Sequence, residues 1–369
     1  MERVKFRSVD PREKEFAAEI RKRVRAYFKE NKISSYANGK MYFKTVVLLS
    51  LYIAPFVAIL LFDLAPLAAL GFAVLMGIGE AGIGMSVMHD GAHGAYSSKG
   101  WVNTLAGGTM FLLGSNTFNW KVQHNFMHHT YTNIYHFDAD ISTKAIIRLC
   151  EYAPLKKYQR FQQFYAFPLY GMMTFLRLFG EISMLVKYNR MGITMHRNAK
   201  PALELFKLIT TKVVYLALIF GLPLWLSDFT FWQILLGFST LHIVAGMIMS
   251  TVFQMAHVVE GAEQPLPDKD NVIHNDWMVH ELKTTSDFGR KNGLLSWYIG
   301  GLDFQIEHHL FHNVCHVHYP AIAPIIKATA EEYGIPYNLK PNVWAALGSH
   351  FRRLKDLGVG KKATPVGVY

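Results

Sequence analysis

Two cysteines, Cys150 and Cys315, are the only thiols in 369 residues, so no disulfide framework staples this fold. Charge is missing from long stretches. Residues 45–62 contain no Asp, Glu, Lys or Arg, residues 64–88 contain only Glu80, and residues 229–256 contain none. Uncharged apolar runs of about 18 or more residues reach across a bilayer core of roughly 30 Å. A fourth run, 213–227, is short; it reaches spanning length when 208–212 joins it and Lys212 snorkels to the interface. These runs override the two or three soluble domains that length alone would allow. The first 44 residues carry RKRVR (21–25) and no apolar core, so no cleaved signal peptide is expected.

Basic residues are absent where the runs turn, near Asp63 and Asp228. Of 38 Lys and Arg, 13 precede the first run, 14 lie between the second and third, and 11 follow the fourth. The positive-inside rule then places both termini and the central segment on the cytoplasmic side, where the two thiols stay reduced. The net charge of +11 would suggest nucleic acid in a soluble protein. Here it matches anionic lipid headgroups, with a further pull on acidic substrates or redox partners. The expected fold is an all-α integral membrane protein, with four transmembrane helices in two hairpins and a cytoplasmic helical cap carrying the histidines. Its expected divisions are a basic N-terminal segment 1–44, a membrane domain 45–256 with a cytoplasmic segment 89–212, and a C-terminal cap 257–369. Uncharged residues 102–119 must lie in the interface or re-enter, because one crossing there would strand the following histidines on the wrong side. Residues 161–176 are excluded as a span for the same reason.

What the chain does have is histidine, seventeen in all, and five of them fall within residues 308–318. Three groups stand out: HDGAH (89–93), HNFMHH (124–129) and QIEHH (305–309), with His257 closing the fourth run. On a helix His89 and His93 share a face, as do His124 and His128. Neighbours diverge by about 100°, so His128 and His129, or His308 and His309, can serve different ions. Gln305 sits three and four residues before the last pair and offers an amide oxygen. The candidate ligands are therefore His89, His93, His124, His128, His129, His257, Gln305, His308 and His309, enough for two metal ions. Imidazole suits iron, zinc, copper and nickel alike. A zinc protease HExxH motif is missing, since Asp90 stands where its glutamate would be.

HDGAH, HNFMHH followed by TYTN, the histidine ending the fourth run and GLDFQIEHHLF together resemble the three-box membrane fatty acid desaturases. The likeness extends from before the first run to about residue 340. The glutamine-first third box resembles front-end desaturases, and KTTSDF (283–288) resembles a segment preceding that box. No HPGG motif of a fused cytochrome b5 domain is present, so the layout is similar to bacterial acyl-CoA or acyl-lipid enzymes of the linoleoyl-CoA desaturase type. One departure is His312, where the family commonly has proline after HHLF.

The resemblance implies a non-haem di-iron centre that uses O2 to introduce a cis double bond into an acyl-CoA or acyl-lipid chain. It implies the bilayer as surroundings and electrons from a separate ferredoxin or cytochrome b5-like protein, because no nicotinamide or flavin fingerprint is present. The bacterial cell membrane is the expected location. Asp90, Asn125, Asp138 and Asp140 are candidates for orienting ligand imidazoles. A membrane hydroxylase of fatty acids, sphingolipids or alkanes is the close alternative. A divalent-metal transporter is the outside one, but it would place its ligands at the midplane. His242 is expected to be a hydrogen-bonded packing residue, and His312, His316 and His318 to serve the loop. His136, His196, His274, His280 and His350 are expected to be ordinary polar residues. Glu80, alone inside a run, lines a substrate path or is protonated and bonded to a neighbour.

Overall fold

The computed structural model describes residues 3–142, 146–290 and 292–361. In chain order it comprises β1 (Lys5–Phe6), α1 (Pro11–Glu30), α2 (Gly39–Leu61), α3 (Pro66–His93) and α4 (Gly100–Gly108). Next come α5 (Thr117–Lys121) running into a π-helical turn Val122–His128, then α6 (Gln162–Tyr170), α7 (Met173–Arg190), α8 (Pro201–Leu226) and α9 (Phe231–His257). The last part holds β2 (Val272–Ile273), α10 (Trp277–Thr284), β3 (Asp287–Phe288), α11 (Gln305–Leu310), α12 (Tyr319–Glu332), β4 (Leu339–Lys340) and α13 (Val343–Gly358). Helix dominates, and α2, α3, α8 and α9 are long and apolar enough to cross a membrane. The sequence reading lacks the two short parallel pairs, β1 with β2 and β3 with β4.

The chain divides into two compact units. One gathers residues 38–122 and 167–251; the other gathers 1–37, 123–166 and 252–369. In the first unit the spans touch through glycine. A Cβ on Gly79 would lie 2.9 Å from the Tyr52 backbone nitrogen, and one on Gly77 would lie 2.6 Å from the Leu241 carbonyl. Small residues allow such backbone contact where lipid supplies no hydrophobic drive between helices. Among the buried polar side chains of the four spans are Tyr52, Glu80, Tyr215 and His242. Tyr215 bonds the His242 ring at 3.0 Å, and Glu80 lies 3.8 Å from its other nitrogen.

Lys212 corrects the sequence reading. It does not snorkel but is buried on α8, donating to Glu181 at 2.7 Å and to the Gly114 carbonyl at 2.5 Å. Glu181 also accepts from Ser115 and from Arg177, and its carbonyl accepts from Asn119. The uncharged stretch 102–119 is no straight span. It is α4, a 3₁₀ turn Thr109–Leu113 and the start of α5, held by this network. Residues 161–176 are likewise broken between α6 and α7.

The second unit packs around an amphipathic α1. Asp10 caps its N-terminus and Pro11 opens it, a favoured pairing. Phe16, Ala17, Ile20 and Val24 form its buried stripe and join Leu282, Ile306 and Ile322 in one core. Arg23 adds a two-pronged contact to Glu332 on α12, at 2.7 and 2.8 Å. The N-terminal segment thus belongs to the same core as the third histidine box.

Candidate metal centre

Helix α3 does not stop where its apolar run stops. It passes through a π-helical turn, Gly84–Met88, and ends on HDGAH, with Gly94 at φ +77° closing it. Such widened turns recur at functional sites. His89 and His93 consequently share a face, their ring centres 4.7 Å apart, and both meet the Trp120 ring edge-on at 5.7 and 5.5 Å. Gly91 is required by close approach, since a Cβ there would lie 2.4 Å from the Gly107 nitrogen.

In the other unit the second box occupies the π-helical turn after α5, so His129 N–H bonds the His124 carbonyl five residues back. The third box forms α11, and His257 is the last residue of α9. Three buried imidazoles converge from these elements. His128, His257 and His309 have ring nitrogens within 4.8 Å of one another, with ring centres 4.7 to 5.0 Å apart and steeply inclined planes. His124, His129 and His308 form a neighbouring group. The Nε2 atoms of His124 and His129 are 3.2 Å apart, and His129 lies 4.6 Å from His308, centre to centre. His312 packs on His129 at 5.3 Å. In box three the adjacent histidines divide, His309 to the first group and His308 to the second, whereas His129 reaches both, its ring centre 4.4 Å from His309 and 4.6 Å from His308.

Three of the rings are oriented from behind. His128 Nδ1 meets Asp138 at 3.0 Å and Asp140 at 3.5 Å. His309 Nδ1 meets Glu281 at 2.7 Å, and Thr132 donates to the same carboxylate oxygen at 2.8 Å. His308 Nδ1 faces the Tyr319 hydroxyl at 3.3 Å. Fixing Nδ1 in this way turns Nε2 toward the cluster, the arrangement usual for metal-binding histidine. Burial works to lower the His128 pKa, but Asp138, Asp140 and Glu281 more than reverse this and carry it up to about 9. Burial pushes the Glu281 carboxyl up to about 8.

Two further residues test whether a metal fits. The Gln305 Oε1 is buried without a protein hydrogen-bond partner, and neither ring nitrogen of the buried His257 makes a well-formed hydrogen bond, the Thr284 backbone being its near group. Leaving a polar atom so costs about 1–3 kcal/mol, and a metal bound by imidazole nitrogen and amide oxygen would satisfy them. The donors suit iron, which imidazole binds well.

Asn133, in the TYTN that follows box two, explains why that segment accompanies the boxes. It adopts φ +58°, and its amide lies 2.9 to 3.1 Å from the carbonyls of His257, Glu263 and Thr284. The KTTSDF segment is stitched in similarly, with Ser286 N–H on the Ala256 carbonyl and Asn338 donating to the Thr285 carbonyl. Of the four proposed orienting residues, Asp138 and Asp140 face His128, whereas the Asp90 carboxylate stands 4.0 Å from His89 Nδ1. Glu281, Thr132 and Tyr319 are absent from the sequence reading; only a lone glutamate on an otherwise buried helix face hinted at the first. His280 and His350, expected to be ordinary polar residues, have defined buried positions. Both are buried, on the carbonyls of Thr132 and Val258. His318 ties the loop after box three to the Tyr36 carbonyl.

Comparison with known proteins identifies the family. The family described as Fatty acid desaturase matches residues 64–341. An sn-1 linoleoyl-lipid 6-desaturase from Synechocystis sp. is 34% identical over 363 residues, covering 97% of this chain and 98% of its own length. The enzyme of the same name from Arthrospira platensis is 31% identical, covering 95% of each. An acyl-lipid (8-3)-desaturase from Physcomitrium patens is 32% identical over 95% of this chain and 73% of its own. This chain belongs to the fatty acid desaturase family.

Proposed function

We propose that this chain is a di-iron, O2-dependent front-end desaturase of lipid-linked acyl chains. Its irons are held by His89, His93, His124, His128, His129, His257, His308 and His309, with Gln305 as a ninth donor. Membership of the family makes it an integral membrane enzyme of lipid metabolism. The observation that carries the reading is the buried group of His128, His257 and His309, two of its rings set by carboxylates and the third flanked by the other two imidazoles. When bound, iron supplies the capacity to couple O2 reduction to removal of two hydrogens from adjacent methylenes. Two electrons and two protons complete the balance, giving one alkene and two waters.

The chain's own residues have defined tasks. Asp138 and Glu281 hold the tautomers of His128 and His309, and Tyr319 holds that of His308. Asn133 locks box two to His257, so the donors of three elements move as one body. Burial of these rings excludes bulk water from the reacting carbon. In the bilayer, α2 with α3 and α8 with α9 form two hairpins. Their turns at Asp63 and Asp228 face outward, while both termini and a helical cap lie on the cytoplasmic side, by the charge asymmetry. A small acidic electron carrier docks on the basic cytoplasmic face. The relatives named for linoleoyl lipid favour a substrate already unsaturated, with the new bond placed toward the carboxyl end.

The test is a host expressing the chain, fed linoleate and other defined acids, with lipids analysed by gas chromatography and mass spectrometry. A new double bond on the carboxyl side of an existing one, absent with His309→Ala, is expected. A hydroxylated product, or a bond on the methyl side, would contradict the proposal.

A further inference from the structure

Beneath the third box lies a second buried cluster that the metal does not use. Asp287 on β3, Glu307 on α11, Tyr337 just before β4 and Arg290 meet there, and both carboxylates are fully buried. Asp287 Oδ1 accepts the Ile306 backbone N–H at 2.9 Å, while its Oδ2 accepts from the Tyr337 hydroxyl at 2.7 Å and faces Arg290 at 3.4 Å. Arg290 donates to the Tyr337 oxygen at 2.8 Å, and Glu307 Oε1 lies 2.8 Å from that same oxygen.

Counting hydrogens resolves the arrangement. Tyr337 has one hydroxyl hydrogen and two carboxyl oxygens within 2.8 Å. One carboxyl must therefore bring its own hydrogen. Asp287 already accepts from Ile306 and stands beside Arg290, so it is the acceptor, and Glu307 brings the extra hydrogen, with both Asp287 and the Tyr337 oxygen in reach. The Tyr337 oxygen then accepts from Arg290 and sends its hydrogen to Asp287, with the Glu307 carboxyl closing the cluster.

We propose that Asp287, Tyr337 and Arg290 are positioning residues that fix α11 by its first turn and so set the directions in which His308 and His309 present their nitrogens. The cluster joins three chain segments, 287–290, 306–307 and 337, at the one short helix that carries two donors, and α11 has only six residues of its own. A helix that short is not self-supporting in water. Its aim depends on what grips it. Glu281 and Tyr319 grip the rings, and this cluster grips the backbone.

The inference rests on the iron reading above, and its test separates the two. The full chain is purified in lipid nanodiscs as wild type, Asp287→Asn, Tyr337→Phe, Arg290→Gln and Glu307→Gln. Each is titrated anaerobically with ferrous iron, with bound iron per folded chain and thermal unfolding both recorded. Asp287→Asn turns an amide donor toward Arg290, and Tyr337→Phe leaves two carboxyl groups apposed. Both are expected to bind iron about tenfold or more weakly per folded chain, the usual scale for partners behind a metal ligand. Arg290→Gln carries the same expectation if Asp287→Asn does not fold. Glu307→Gln keeps a donor toward Tyr337 and is expected to bind within about twofold of wild type on that count. Wild-type iron binding by the first three, with only lowered unfolding temperatures, would overturn the inference and leave the desaturase reading standing. Equal loss in Glu307→Gln would overturn the hydrogen count behind it. A wild type that binds no iron would overturn both readings.

Discussion

Helix α9 carries two buried histidines fifteen residues apart, and they have opposite surroundings. His242 is fully buried and has Tyr215 as a hydrogen-bond partner, Phe175 and Phe238 around it, and no second imidazole against it among the described residues. His257 has imidazoles on two sides, His128 and His309, with the Thr284 backbone as its near hydrogen-bonding group. Both histidines end up dry, so burial does not distinguish them. The surroundings do: His242 sits among a hydroxyl, a carboxyl group and aromatic rings, whereas His257 sits among imidazoles.

The largest expected effect sharpens that contrast. His257→Ala abolishes the new double bond in fed cells, while His242→Gln keeps product formation per folded chain. Loss of product in both variants at equal expression would break the distinction. A comparably large effect, on stability this time, is expected at Lys212. Breaking a buried ion pair by removing one partner costs about 3–5 kcal/mol, so Lys212→Met lowers the unfolding midpoint in detergent sharply. Lys212→Met combined with Glu181→Leu recovers part of it. If the double variant is no better than the single one, the carboxylate is not what Lys212 needs.

A smaller step is expected at the carboxylates behind the rings. Glu281→Gln and Asp138→Asn weaken iron retention by about 10- to 100-fold, read by competition with a chelator, with little change in unfolding temperature. The smallest effect belongs to an exposed pair. Arg352 holds the Glu260 carboxyl below its usual range, mainly by hydrogen bonding. A lowered carboxylate contributes stability above its unfolded pKa of about 4.3 and loses it as pH falls through the lower folded value. Solvent screening keeps that contribution under about 1 kcal/mol. Comparing Glu260→Gln with wild type between neutral and acid pH checks it, and the two curves should converge as pH drops.

The four apolar helices and the three boxes were legible because each is a local pattern, a run without charge or a spacing of three to five residues. Long-range pairing left no such trace. Lys212 read as a snorkelling cation because its partner, Glu181, lies 31 positions away on α7. Glu281 reaches His309 across 28 positions, and β1 finds β2 across most of the chain. The π-helical turns at Gly84–Met88 and Val122–His128 were equally silent. Apolar periodicity does not separate a widened turn from an ordinary one over five residues. TYTN and KTTSDF could be noticed only by likeness. Their reason, Asn133 and Ser286 bonding the backbone at the end of α9, is three-dimensional.

The most direct test of the account is an iron count on protein purified after anaerobic loading with ferrous iron, comparing wild type, His242→Gln and His257→Ala. The account expects two irons per chain in wild type and in His242→Gln, and fewer in His257→Ala at an equal folded fraction. Two irons retained by His257→Ala, or equal loss in His242→Gln, would contradict it.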